Sequence, residues 1–341
     1  MNIIKNEFIN QTNNNTISGF SYENGFSIFN LESLIDLFIL NVDVASTSKL
    51  TYKRGLNNFV NWAKIHFSMN IFKITRETIL LYKEFLLNAE IKPFTKSLYL
   101  VCIRQFFTWT EGSLIYPNVA RGIKGIKKLT KSHNKDSLKK EQVLHFFKSI
   151  DQLTIVGKRD YCLIYMLIHT GMRLTEASNI LISDIQINSN NNSIIWIKGK
   201  GRDGKDAFIV LVPEVVEVLL NYLNERKKIE EVKLNDVLFV SHGPKTKYRK
   251  LQKRMSTNSL SRIIKIRLQK AGIKTSRITA HSLRHTFGVL AIQSGASLFE
   301  VQLAMRHSSP TTTQVYLGDI EQMKRMEASP ENRIMEFLNR K

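Results

Sequence analysis

Cysteine is almost missing from this chain, with two in 341 residues, Cys102 and Cys162. Both sit in apolar stretches of helical character, so buried core thiols are expected rather than a disulfide or a metal pair. Long hydrophobic runs are missing as well: Leu37-Phe-Ile-Leu40 is too short to begin a membrane span. The opening Met1-Asn-Ile-Ile-Lys-Asn-Glu lacks the charged-then-apolar layout of a signal peptide. These absences predict a cytoplasmic protein with no membrane partner. Acid is the most informative shortage. Asp and Glu number 29 against 50 Lys and Arg, a net charge of +21. From Val237 to Phe299 there is no carboxylate side chain, although that stretch carries Lys245, Lys247, Arg249 and ten further basic residues. A solvated face usually interleaves both signs. A one-sign stretch suits counterion release from a phosphate backbone, so the expected partner is a polyanion, DNA before RNA or anionic lipid.

The content that remains is that of a globular protein, 43% hydrophobic and 23% charged, with length for two domains. Residues 1–28 are polar and Asn-rich and read as an extension. Residues 29–118 carry four amphipathic helical patterns. Asn30 is the expected cap of the first (Leu31, Leu34, Ile35, Phe38), and Ser46 or Ser48 starts the second (Leu56, Phe59, Val60, Ala63). Thr75 caps the third and Thr95 the fourth, which includes Cys102. Exposed Lys53, Arg54, Lys64 and Lys73 suit phosphates or plain solvent equally well. Residues 119–138 form a basic linker bearing Lys124, Lys127, Lys128 and Lys131, candidates for DNA contact. Residues 139–341 begin another domain. It has helices around Glu141–Ile150, Tyr161–Ile168, Glu214–Arg226, Asn258–Ala271, Ser282–Gln293, Leu298–Met305 and Thr311–Tyr316. The strand-like runs Ile194–Lys198 and Phe208–Val212 form a hairpin. No period marks a repeat array.

The hairpin tip, Gly199-Lys-Gly-Arg-Asp-Gly-Lys205, nearly matches a nucleotide-binding P-loop. The residue after the lysine is Asp206, where a magnesium-binding hydroxyl is needed, and a strand follows where the phosphate cradle needs a helix N-terminus. A nucleotide site is therefore set aside. Three other segments bring arginine and histidine together. His169-Thr-Gly-Met-Arg173-Leu-Thr-Glu176 places a carboxylate one helical turn from an arginine, a spacing that can brace it. Taken alone, such a pair is usually a surface pair. His281-Ser-Leu-Arg284-His285 puts His281 and Arg284 three apart, on one helical face, where both can address one phosphate. His285 points elsewhere and reads as structural. Arg306-His307-Ser-Ser-Pro-Thr-Thr-Thr-Gln-Val-Tyr316 ends on a tyrosine nine residues beyond a histidine. A tyrosine with a free pKa near 10 serves as a nucleophile only among positive charges.

The order and spacing of these segments resemble the tyrosine recombinases, the family of phage integrases and the Xer and Cre recombinases. The likeness is most specific from about Asp160 to Tyr316 and looser over residues 29–118, which resemble that family's core-binding domain. It implies a mainly α fold with a small β-sheet in the C-terminal domain, the helical domain and the α+β catalytic domain forming a clamp on duplex DNA. It implies catalysis by Arg173, Lys200, His281, Arg284, His307 and Tyr316, with Glu176 behind them. Lys200 is the implied general acid on the β-turn, with Lys198 and Lys205 near enough to compete. Tyr316 would form a 3′-phosphotyrosyl bond, conserving bond energy, so that no cofactor and no metal is needed. The implied partners are double-stranded DNA with a specific recombination site, a homo-tetramer acting through a Holliday junction, and accessory DNA-bending proteins; the implied location is the nucleoid. The apolar spots Ile320, Met323, Met326, Ile334, Phe337 and Leu338 fit a C-terminal tail that docks on a neighbouring subunit. Departures are also present: Arg306 stands where the family commonly has glycine, Pro310 where an aliphatic is frequent, Leu317-Gly318 after the tyrosine, and Ala207-Phe208 where an arginine is often found. Two other readings keep part of these observations: a type IB topoisomerase-like strand-passing enzyme, and a DNA-binding protein without catalysis.

Overall fold

The computed structural model describes residues 20–23, 26–67, 70–126, 136–188, 193–198, 204–242, 254–307, 334–335 and 338. The chain divides into two compact units, residues 1–130 and 131–341. In the first, a two-stranded antiparallel ribbon, β1 (Phe20–Glu23) and β2 (Phe26–Phe29), precedes four helices. These are α1 (Leu31–Asn41), α2 (Ser46–His66), α3 (Arg76–Asn88) and α4 (Pro93–Gly112). Asn30 caps α1 by accepting from the Glu32 N–H at 2.8 Å, and Thr75 caps α3. The fourth helix starts two residues before the expected Thr95. Pro93 takes the first helical position, where its fixed φ is already helical and its missing N–H costs nothing.

The predicted apolar stripes of these helices meet in one core. Phe38 meets Phe106 edge-on at 5.8 Å, and Phe59 meets Tyr82 at 5.0 Å. Burying each such side chain contributes roughly 1.5–3 kcal/mol, so packing rather than local propensity holds this unit. Helices α2 and α4 touch at Gly55, where a Cβ would lie 2.6 Å from Cys102 Sγ. Cys102 is thus a core thiol, and burial pushes its pKa up to about 11. Ala120 and Ile123, just after α4, close the same core.

The second unit opens with α5 (Lys140–Lys148) and the long α6 (Ile155–Thr170), capped by Thr154. A one-turn α7 (Leu174–Ala177) leads into the antiparallel sheet β3 (Ile185–Gln186), β4 (Ser193–Ile197) and β5 (Ala207–Leu211). Helices α8 (Pro213–Lys227), α9 (Thr257–Lys270), α10 (Ala280–Gln293) and α11 (Leu298–Met305) follow. The fold is mainly helical with a small sheet, as expected. Strands β4 and β5 pair with Trp196 opposite Phe208, and Ser193, Ile195 and Ile197 point inward. The element after the glycine-rich tip is a strand, so the helix N-terminus of a P-loop is not there.

Helix α6 is the axis of this unit, and its buried residues include charges. Asp160 accepts from Arg159 Nε at 2.9 Å and Nη2 at 2.6 Å, and from Arg267 Nε of α9 at 2.8 Å. Arg159 Nη1 also donates to the Val240 carbonyl at 3.1 Å. The Asp160 carboxylate thus ties α6 to α9, and its partner Arg159 ties both to the segment before α9. Cys162 of α6 is fully buried, and burial raises its pKa. The two cysteines belong to separate units, which rules out a pair within either core.

Candidate active site

The C-terminal end of α6 sets the site. Gly171 terminates the helix with φ +59°, a left-handed conformation that favours glycine. A Cβ at Gly171 would also overlap the Phe287 ring of α10, at 2.4 Å. Two residues on, Arg173 begins α7 in extended conformation, and Glu176 reaches back to it. Glu176 Oε2 accepts from the Arg173 N–H at 2.7 Å, and Oε1 accepts from Arg173 Nη1 at 2.8 Å. The carboxylate is 5% exposed and the guanidinium 30%. The spacing that could brace Arg173 does so here, with the carboxylate inside and the cation more exposed.

Arg284 is 4% exposed on α10. Its Nη1 donates to the Gly171 carbonyl and its Nη2 to the Met305 carbonyl, joining the ends of α6 and α11. Sequence spacing placed His281 and Arg284 on one face, but their environments differ. His281 lies in the first helical turn, not in the loop before it, and is exposed. Arg284 is drawn inward because those buried carbonyls need donors. His285 is buried, as its structural reading requires.

His307 follows α11 with its N–H on the Gln302 carbonyl at 3.1 Å. Its pKa falls to about 4, first through burial and then through the charges of Arg284, Arg173, Arg306 and His281. Arg173 Nη2 donates to the Arg306 carbonyl and Arg284 Nη2 to the Met305 carbonyl, so both guanidiniums meet the end of α11 where His307 follows, a cationic locus built from α6–α7, α10 and α11. At neutral pH the His307 imidazole is uncharged and suited to hydrogen bonding. A phosphate placed there would raise its pKa again.

Beside Arg173 lies a cleft of about 430 Å³ whose lining includes Glu176, Asp184, Trp196, Lys198 and Lys205. Lys205 is committed to the buried Asp184 carboxylate. Lys198 and Lys205, which bracket residues 199–203 in the chain, both line this cleft. Lys200 and Tyr316 themselves lie outside the described residues, as do Lys127, Lys128, Lys131, Lys245, Lys247 and Arg249 and the tail positions Ile320, Met323, Met326 and Phe337. Lys124 is exposed on the first unit. On the same unit, Lys53, Arg54, Asn57, Asn58 and Asn61 of α2 line a shallow hollow with Tyr99. The sequence marks Lys53 and Arg54 as suiting phosphates or solvent; it does not single out the three asparagines beside them.

The histidines give the protein an acid limit. His242, bonded to the Tyr222 hydroxyl at 3.0 Å, is also lowered to about 4, by burial and then by Arg159 and Arg226. Unfolded imidazoles titrate near 6.5. Between about 6.5 and 4 the unfolded chain therefore binds more protons, and stability falls as pH drops through that window. Melting temperature should decline from pH 6.5 to 4.5, and His242→Gln should flatten part of the decline. A variant with the same slope as wild type would contradict this assignment.

Comparison with known proteins places this arrangement. The family model described as the phage integrase family matches residues 136–322, more than half of the chain. This chain belongs to that family. Among curated relatives, tyrosine recombinase XerD of Vibrio vulnificus (strain YJ016) is 23% identical over 288 residues, covering 84% of this chain and 89% of the relative. XerD of Listeria monocytogenes is 25% identical over 296 residues, covering 84% and 92%. Among solved structures, XerH site-specific recombinase bound to a palindromic difH substrate, in a post-cleavage complex, matches with TM-score 0.69 and 25% identity over 88% of this chain and 84% of that one. The Tn1549 transposon integrase in complex with transposon right end DNA shares the fold, with TM-score 0.66 at 16% identity over 88% of this chain and 100% of that one. The chain is accordingly a tyrosine recombinase by family, and recombination is favoured over the topoisomerase-like and non-catalytic readings. Among the described residues, no helix of this integrase-family chain is long and apolar enough to cross a membrane.

Proposed function

We propose that the cationic locus around Arg173, Arg284 and His307 holds the scissile phosphate of a DNA recombination site, and that Tyr316 cuts it. The protein is an enzyme of site-specific DNA recombination. The observation that carries the assignment is the convergence of Arg173, Arg284 and His307 from three chain segments about the buried Glu176 and the end of α11. Guanidinium is permanently charged and forks onto phosphate oxygens, so it suits the charge that builds on the non-bridging oxygens.

In the step proposed, the Tyr316 oxygen bonds to phosphorus as the phenol gives up its proton to solvent, and the bond from phosphorus to the 5′ oxygen breaks. Lys200 delivers a proton to that leaving oxygen, which departs as a 5′ hydroxyl. Arg173 and Arg284 carry the charge, with His281 and His307 as hydrogen-bond donors. The 5′ hydroxyl of a partner strand then attacks the phosphotyrosine, giving up its proton to Lys200, left neutral by the first step, and the tyrosine leaves and takes a proton from solvent. Repeating this on the second strand pair passes through a Holliday junction, for which four protomers on two DNA sites are proposed, along with accessory DNA-bending proteins. Lys124, Lys127, Lys128, Lys131, Lys245, Lys247 and Arg249 are proposed to neutralise backbone phosphates. The Asn-lined face of α2 would add contacts to base edges, since amide side chains match adenine.

The test uses a plasmid carrying two copies of the site recovered from trapped protein–DNA adducts. Wild type should recombine the two copies without ATP. Relaxation of supercoils with no exchange between sites would reject recombination in favour of strand passage.

A further inference from the structure

Arg306 occupies a costly position. It is one of two non-glycine residues with positive φ among the described residues, at 54°, ψ 49°, where it terminates α11. Side chains rarely adopt this conformation, and helices end this way most easily on glycine. A residue kept there against its backbone preference must be held by its contacts. Two of those contacts lead to the site and one is local. Arg306 Nη2 donates to Glu176 Oε2 at 2.8 Å, the oxygen that also takes the Arg173 N–H. Its Nη1 donates to the Ala304 carbonyl at 2.6 Å. Its own carbonyl accepts from Arg173 Nη2 at 3.1 Å. The guanidinium is 16% exposed, and Nε is buried without a hydrogen-bond partner among the described residues. Glu176 is thus shared between two arginines, one on each side of the join between α7 and α11.

We propose that Arg306 is a positioning residue for strand cleavage, which clamps the end of α11 onto Glu176 and so fixes Arg173 and His307 relative to each other. The proposal rests on the reading of the site given above. Arg306 fulfils the role in two ways. Its side chain orients Glu176, and hence the Arg173 guanidinium. Its left-handed backbone turns the chain so that His307 emerges beside Arg173 and Arg284. Its charge also contributes to the low pKa of His307.

Arg306→Gly separates these roles, because glycine accepts the backbone conformation and removes only the clamp. The experiment measures single-turnover formation of the covalent protein–DNA adduct on a saturating nicked duplex, together with DNA affinity, melting temperature and the titration of the His307 imidazole by NMR. Arg306→Gly should slow adduct formation by roughly 10–100-fold, as loss of a supporting partner does elsewhere. DNA affinity and melting temperature should stay close to wild type, and the His307 pKa should rise. Arg306→Lys retains a charge able to reach Glu176 and should recover most of the rate and the low His307 pKa. Adduct formation by Arg306→Gly at the wild-type rate would overturn the proposal. So would a rate loss that Arg306→Lys does not relieve. If wild type itself forms no adduct, the reading of the site falls. The NMR titration then decides this inference alone: a His307 pKa that rises in Arg306→Gly and stays low in Arg306→Lys supports the clamp, and an unmoved pKa rejects it.

Discussion

Replacing Arg284 by alanine should slow strand cleavage by roughly 10²–10³-fold, the usual cost of losing one preorganised group that stabilises developing charge. The structure adds a reason for a severe effect. The same side chain joins the carbonyls of Gly171 and Met305, so its loss removes a cation from the locus and releases the ends of α6 and α11. Each buried carbonyl left unpaired costs about 1–3 kcal/mol. Arg284→Lys should not restore the rate, because an ammonium cannot span two carbonyls while presenting a flat fork to phosphate. Single-turnover cleavage below the melting temperature of each variant measures this directly. A rate for Arg284→Ala within threefold of wild type would remove Arg284 from the site.

Asp160→Ala should produce the largest loss of stability, about 3–5 kcal/mol in the second unit, the range for breaking a buried ion pair from one side. Two arginines, Arg159 and Arg267, would be left facing each other without their shared carboxylate. Both are buried or nearly so, so solvent cannot replace it. Hydrogen exchange of α6 and α9 amides should report the change, with the helices of the first unit unaffected. Protection of α6 at the wild-type level would show that the carboxylate is not what joins these helices.

Much of the fold was legible because amphipathic spacing and capping agree locally. Asn30 and Thr75 start helices for the expected reason, and the β4–β5 hairpin was readable from two apolar, strand-like runs on either side of a glycine-rich stretch. The start of α4 was misplaced because Thr95 and Pro93 both carry a start signal, and the proline wins at the first turn. Strand β3 has two residues, too few to show a period. The order of Arg173, His281, Arg284 and His307 was legible as a motif, but their burial was not. No local pattern says that Arg284 turns inward to carbonyls 113 and 21 residues away in sequence. Arg306 stood out only as a departure from glycine. Its bond to Glu176 spans 130 residues and could be found only in three dimensions.

The central claim is that Tyr316 is the nucleophile served by this locus. The most direct measurement is adduct formation on nicked duplexes in the absence of ATP and added metal, with the attached residue identified by mass spectrometry of the trapped peptide. Wild type should carry the 3′ phosphate on Tyr316, and Tyr316→Phe should form no adduct while still binding DNA. An adduct that persists in Tyr316→Phe, or one mapped to another residue, would contradict the account.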